Sequence, residues 1–405
     1  MTQASRVTLA SISIRDFRNI ERADIAIPSD GIALVGDNGH GKTNFLEAIA
    51  YLELLRSMRG VRDRDLVRFG AAAFHIAAVS TGTAVQRVGI GVERTGKKRI
   101  TLDGVDTPRL TDALGALPSV CFSPADIALI AGAPAERRRY LDIALALSSK
   151  RYLAALRRYR AALARRNAAL REAARPGARS SSVAAWEPAL AEQGAVLVEE
   201  RRAWVAEGAA EFTRLCEEIG ERVPMQIAYE SPLVDVPDVR AALAEALRRG
   251  REHDARRGIT HAGPHRDDLA VTLGARDLRL VGSAGQQRTA AIALRLLEAA
   301  TFRTRGGAQP VLLLDDPFAE LDRKRASRVL ALLEESSAKG LGQTILCVPR
   351  EDEIPRAFTR LERWSVRDGV FASAGAPDGA GVPVTPGFPV TPDAPVTPGA
   401  PVAAR

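Results

Sequence analysis

The chain has 405 residues, 46% of them hydrophobic and 26% charged, which is long enough for two packed domains around a large core. No apolar run approaches the roughly 18 residues that cross a bilayer, and the N-terminus lacks a basic-then-apolar leader, so the reading is a cytoplasmic protein with no membrane role. Cys121, Cys216 and Cys347 are odd in number and far apart, which argues against a disulfide framework or a zinc site and reads as small core residues. The formal charge of +8 favours a polyanionic partner such as nucleic acid. Only six of the 57 basic residues are lysine, so the arginine excess is equally open to a bias in genome base composition.

The first 115 or so residues carry short alternating apolar segments, at Leu9, Ile12 and Ile14, then 76–79, 85–92 and 100–102, which predict strands. Among them the apolar run 32–35 predicts a buried strand, and apolar residues at 45, 46, 49, 52 and 55 predict a helix. Between strand and helix stand Gly36, Asp37, Asn38, Gly39, His40, Gly41, Lys42 and Thr43, a glycine, four free positions, then Gly-Lys-Thr. Glycines let backbone N–H groups turn inward around phosphate oxygens, and the helix N-terminus adds partial positive charge. Lys42 is suited to the outer phosphates and the Thr43 hydroxyl to Mg²⁺. Residues 36–44, with Asn44 as the last, are therefore the expected nucleotide contacts. The His40 side chain is expected to point outward and receives no chemistry.

A helical insert comes next. Apolar residues at 141, 145, 152, 156, 159, 163 and 170 predict one long helix over 137–172 with a single buried stripe. Arg151, Arg157, Arg158, Arg160, Arg165 and Arg166 decorate the rest of it, and carboxylates are nearly absent between Asp142 and Glu172. Such a face suits a phosphate backbone, or it is simply solvated. Residues 176–182 break the helix, a second helix is expected over 186–216, and the insert ends near Gly258. The two helices would form a short antiparallel arm. His261, His265, Asp267 and Asp268 invite a metal reading, against which Gly263-Pro264 disfavours the helix that would align both histidines. An interface or interlobe contact is the other reading.

Ser283 to Gln287 opens another helix, with Ala291, Leu294, Leu297 and Glu298 along it. The apolar run 311–314 predicts a second buried strand that ends in Asp315 and Asp316. Asp315 would hold Mg²⁺ and Asp316 would orient or deprotonate the attacking water. Alternatively the pair caps the next helix. Asp322 precedes a helix beginning near Lys324, and a further strand is expected over 344–348. Residues 373–405 repeat Pro-Val-Thr-Pro every six positions and predict an extended, mobile tail dispensable for nucleotide binding.

A phosphate loop, Ser-x-Gly-Gln at a helix start, then apolar strand, Asp-Asp and Leu-Asp, in that order, resembles the ABC-type ATPase head. The resemblance implies an α/β P-loop fold, with lobe I at 1–115 and 300–372 and a mainly helical lobe II at 116–299. It also implies that ATP completes a homodimer, Ser283, Gly285 and Gln286 of one subunit covering the γ-phosphate held by the other, with Asp322 in the last loop of the site. Further segments are similar to the bacterial RecF family of recombination mediators: Asp16-Phe-Arg-Asn19, Arg56-Ser-Met-Arg59, Phe122-Ser-Pro124, Pro134-Ala-Glu-Arg-Arg138, Arg165-Arg-Asn167 and Gly263-Pro-His-Arg-Asp-Asp268. That resemblance implies ATP-dependent binding of duplex DNA at gaps or single-strand junctions, partnership with RecR and RecO, help in loading RecA, and weak ATP hydrolysis. Arg18 and Arg59 become weaker candidates for nucleotide contacts.

Three departures bear on turnover. Asp316 stands where transporter ATPases have Glu, no histidine follows the strand 344–348, and residues 122–126 offer no Gln. A transporter subunit would carry that histidine and glutamate. An SMC or Rad50 head would need hundreds of heptad residues, whereas 283 − 43 = 240 positions separate Thr43 from Ser283. A clamp that binds ATP and scarcely hydrolyses it is a further reading.

Overall fold

The computed structural model describes residues 5–173, 182–318, 321–335 and 342–373. The tail from 374 onward, most of the break at 176–182, and Ala319 and Glu320 lie outside the described residues. At the centre is a six-stranded sheet in the order Val370–Ser373, Glu362–Arg367, Gly31–Val35, Thr344–Val348, Val311–Asp315, Ser119–Phe122, parallel except for the hairpin of its first two strands. The inner strands read as unbroken apolar runs because both faces are covered. Side chains alternate between those faces. Ile32, Leu34, Val311, Leu313, Ile345 and Cys347 enter one core, while Ala33, Leu312, Leu314, Leu346 and Val348 enter the other.

The first core also holds the helix Lys42–Leu54 and a six-stranded antiparallel sheet ordered Ile20–Ala26, Thr8–Phe17, Ala73–Thr81, Arg87–Glu93, Lys98–Leu102, Val105–Asp106. The second core is helical. The lobe boundary expected at 115/116 falls too early, since Ser119–Phe122 pairs in parallel with Val311–Leu314 at the sheet edge, its Val120 and Phe122 buried. A four-residue strand between helices carries too little periodicity to declare its sheet.

The single helix expected over 137–172 is two, Pro134–Ser148 and Lys150–Ala173. Ser149 separates them in an extended conformation, φ −140° and ψ 110°. Its N–H closes the first helix on the Leu145 carbonyl at 2.8 Å, and its hydroxyl accepts the Tyr152 N–H at 3.1 Å. One serine therefore ends one helix and caps the next, which leaves the apolar spacing uninterrupted. The predicted partner helix is Glu187–Ile219, and Val239–Arg257 packs along both before Gly258 terminates it in the left-handed region. Among the described residues no helix is long and apolar enough to cross a membrane.

The basic face is less bare than its local sequence suggests. Arg151 pairs with Glu199 and Glu200, Arg160 with Asp142 at 2.7 Å, and Arg166 is fully buried between Asp254 at 2.7 Å and Glu187 at 3.2 Å. Arg165 lies over the Trp186 ring. The neutralising acids come mostly from other helices.

Residues 263–268 form the knot that joins these helices. Asp268 takes both prongs of Arg137 at 2.8 and 2.7 Å, Asp267 accepts the Tyr229 hydroxyl, and the Pro264 carbonyl accepts from Arg201 at 2.7 Å. The metal reading fails here. His265 receives the Tyr159 hydroxyl on Nδ1 and donates from Nε2 to the Thr260 carbonyl, whereas His261 meets Asp254. Burial pushes the His265 imidazole down to about 4, so it is neutral at physiological pH. Among the described residues no group of three or more His, Cys, Asp or Glu could hold a metal.

Candidate functional site

The loop at residues 36–43 leaves the carboxyl end of the strand Gly31–Val35 and runs into the helix Lys42–Leu54. Gly36 allows this departure, because a Cβ there would come within 2.3 Å of the Val366 carbonyl oxygen. Gly39 and Gly41 have φ of 87° and 113°, the second at the helix N-cap, where a side chain would be strained. The curled backbone ends on a 13-residue helix whose first N–H groups have no partner within the helix, a cradle suited to an anion.

The Lys42 side chain is buried and folds back over the loop, donating to the carbonyls of Gly36 and Asp37. Asp315 ends the strand two places over in the same parallel sheet, across Thr344–Val348, and comes beside the helix start, where the Thr43 hydroxyl lies 3.0 Å from both of its carboxylate oxygens. Burial raises the Asp315 pKa, opposed by the Thr43 hydrogen bond and reinforced by the charge of Asp316. Asp316 is also raised by burial, with Arg288 and Lys42 opposing. Its backbone is left-handed, φ 44°, and its N–H bonds the Cys347 carbonyl at 3.0 Å. Two adjacent carboxylates suit a hard divalent cation, whose charge would favour their ionised forms, and one hydroxyl beside one carboxylate is a set that Mg²⁺ would complete with water and phosphate oxygens. The cap alternative for the pair goes instead to Asp322, which accepts the N–H groups of Lys324 and Arg325, both at 2.9 Å, and is held below the usual carboxylate range by them.

His40 has a role that its sequence position hid. Its ring Nδ1 accepts the Asp368 N–H at 3.0 Å and its carbonyl accepts the Gly369 N–H at 2.8 Å, so the turn of the last hairpin pins the loop. On the other side Asn44 donates to Asn19 at 2.8 Å. Arg18 forms a two-pronged pair with the buried Glu47 of the loop helix, which also accepts from Ser57, so its guanidinium is engaged in holding that helix. Arg59 is exposed, near enough for its charge to favour ionised Asp315.

Ser283 caps the helix Ala284–Arg305 in a reciprocal box with Gln286: the Ser283 N–H donates to Oε1 of Gln286 at 3.0 Å, and the Gln286 N–H to the serine hydroxyl at 3.3 Å. Ser283 is exposed and Gly285 half-buried. No described hydrogen bond or ion pair links either to residues 36–43. Sequence reasoning missed Arg288, five positions further on and almost fully buried, which donates to the Ser123 carbonyl at 2.6 Å and stands by Asp316. A guanidinium on the otherwise apolar face of that helix was the available signal. Arg295 follows on the same helix and binds Asp126 at 2.6 Å, so the segment without the expected glutamine is still tied to the Ser-x-Gly-Gln helix.

The central sheet, the glycine loop joined to a strand-end carboxylate, and the capped Ser-x-Gly-Gln helix define an ABC-type ATPase head. An SMC head with an extended coiled coil from Pyrococcus furiosus superimposes with a TM-score of 0.53 at 18% identity, covering 91% of this chain and 96% of that one, a likeness of fold. The family described as RecF/RecN/SMC N terminal domain matches residues 8–369. The DNA replication and repair protein RecF of Roseiflexus castenholzii is 38% identical over 389 residues, covering 88% of this chain and 98% of that protein. A recombination mediator RecF of the RecFOR pathway, solved with ATP, superimposes with a TM-score of 0.82 at 26% identity over 91% of this chain and 98% of that one. The chain belongs to the RecF family.

Proposed function

We propose that this protein is an ATP-gated DNA-binding switch of recombinational repair. The observation that carries the reading is the Thr43 hydroxyl held 3.0 Å from both oxygens of Asp315, which brings the phosphate-loop helix and the carboxylate strand to one metal-ready point. In this reading Lys42 exchanges its two carbonyl acceptors for phosphate oxygens, and the N–H groups of residues 36–44 line the phosphate chain. Thr43 and Asp315 hold Mg²⁺, and Asp316 orients water. Bound Mg²⁺–ATP supplies the cleavable phosphoanhydride and the charge that a second subunit can read. The exposed Ser283 and the half-buried Gly285 provide that reader, so ATP closes a homodimer over duplex DNA at gaps or junctions. RecO and RecR are the proposed pathway partners, with RecA loading as the outcome. Asp is shorter than Glu, so hydrolysis is slow and acts as a timer.

The test is anisotropy of a labelled gapped duplex titrated with protein in ATP, ADP or no nucleotide. Binding in ATP alone is expected, weakened about a hundredfold by Lys42→Ala, the worth of roughly 3 kcal/mol in charge-assisted hydrogen bonds. Binding that ignores nucleotide overturns the gate. Asp316→Asn should lower turnover by about a hundredfold or more and leave an ATP dimer stable in sedimentation; a variant that stays monomeric in ATP removes Asp316 from this role.

A further inference from the structure

Away from the nucleotide loop, a cavity of about 230 Å³ opens between the helices Pro134–Ser148, Lys150–Ala173 and Glu187–Ile219. Four arginines line it: Arg138, Arg139, Arg160 and Arg201. Their charges are unequally matched. Asp142 answers both Arg160 and Arg201, each at 2.7 Å, while its Oδ1 also accepts the Tyr152 hydroxyl at 2.6 Å. Arg138 and Arg139 donate to neutral acceptors, the first to the Asp267 carbonyl at 2.7 Å, the second to the carbonyls of Ser57 and Met58 at 3.2 and 3.1 Å. Among the described residues neither forms an ion pair. The nearby Asp267 carboxylate is engaged by the Tyr229 hydroxyl.

Each guanidinium presents five N–H donors, and in Arg138, Arg139 and Arg160 the bonds described use a single nitrogen. Like charges gathered beside apolar walls such as Leu156 and Leu197 repel one another more strongly than in open water. Arg56 registers the crowding, its pKa lowered first by burial and then by Arg139 and Arg160. His265, also in the wall, is held neutral by burial, and the buried Tyr159 hydroxyl has its pKa raised, so neither supplies a negative charge to answer the arginines.

We infer that this cavity is a binding site for a phosphate group, separate from the nucleotide loop. A phosphate monoester brings nearly two negative charges and three strong acceptor oxygens, matching unspent forks that a carboxylate would fill only in part. The chemistry admits two sources, free inorganic phosphate or the terminal 5′-phosphate of a DNA strand. The inference stands independently of the nucleotide reading.

Equilibrium dialysis of labelled inorganic phosphate against the full chain carrying Lys42→Ala, which cripples the loop, is the test. That protein should retain a phosphate site. Adding Arg160→Gln should weaken binding about tenfold, one charge-assisted contact, and Arg160→Lys should restore part of it. Arg160 is half exposed and Asp142 keeps Arg201, so the fold should survive; Arg139→Gln serves as an independent second variant. Phosphate binding that vanishes with Lys42→Ala, or that ignores both arginine changes, overturns the site. Displacement by a 5′-phosphorylated duplex but not by its 5′-hydroxyl counterpart assigns the source to strand ends, and equal failure of both duplexes assigns it to free phosphate.

Discussion

Lys42 and Arg166 are both buried cations, and the chain treats them in opposite ways. Lys42 donates to two backbone carbonyls and, among the described residues, meets no carboxylate within ion-pair distance, whereas Arg166 is wedged between Asp254 and Glu187 and also donates from its two terminal nitrogens to the Thr260 hydroxyl and the Leu247 carbonyl. The first arrangement leaves a charge that an incoming anion satisfies better than the protein does. The second spends the guanidinium's charge on two carboxylates and ties together the helices Lys150–Ala173, Glu187–Ile219 and Val239–Arg257. Burial alone does not separate a site from a scaffold; the charge of the acceptors does.

The contrast breaks first at Arg166. Arg166→Ala should cost about 3–5 kcal/mol, because the buried Asp254 loses its arginine and Glu187 is left with Arg251 alone, and the denaturant midpoint should fall accordingly. Lys42→Ala should change stability by no more than about 1 kcal/mol, since neutral carbonyls stay partnered by water, while removing nucleotide binding. Comparable unfolding losses in the two variants would dissolve the distinction.

A buried acid sharpens the comparison through pH. Burial holds the Glu53 carboxyl up at about 8 from 4.5, against hydrogen bonds from the Ser119 N–H and hydroxyl and with Glu298 reinforcing. The folded state therefore binds more protons than the unfolded one between those values. Stability is full below about 4.5 and falls as pH rises through 8, by up to about 1.4 kcal/mol per unit. Glu53→Gln should flatten that slope in denaturation curves taken at pH 5, 6.5 and 8. Ser283→Ala should cost about 1 kcal/mol for a lost helix cap, accompanied by failure of ATP-dependent dimerisation in sedimentation.

Local patterns carried much of the reading. The strand, glycine loop and helix at 31–54 are contiguous and each obeys its own periodicity, and the Val311–Asp315 strand was legible as an apolar run ended by carboxylates. What escaped was tertiary. Ser149 splits a helix without disturbing the apolar stripe, the acids that neutralise Arg151 and Arg166 sit on distant segments, and Arg288 becomes meaningful only once the fold sets it by Asp316. Gln343 is another such case, clasping the Leu9 backbone from 334 positions away with no local motif to announce it.

The clasp on His40 has a consequence for how the protein is born. Its two N–H donors come from Asp368 and Gly369, some 328 residues after the loop emerges from the ribosome. At roughly 5–20 residues per second, tens of seconds of translation separate the glycine turn from the hairpin that steadies it. During that interval the nascent chain carries an unsupported loop, and the neighbouring strand Glu362–Arg367 is still missing from the sheet. The support of the glycine loop is thereby completed only when almost all of the described residues have been made.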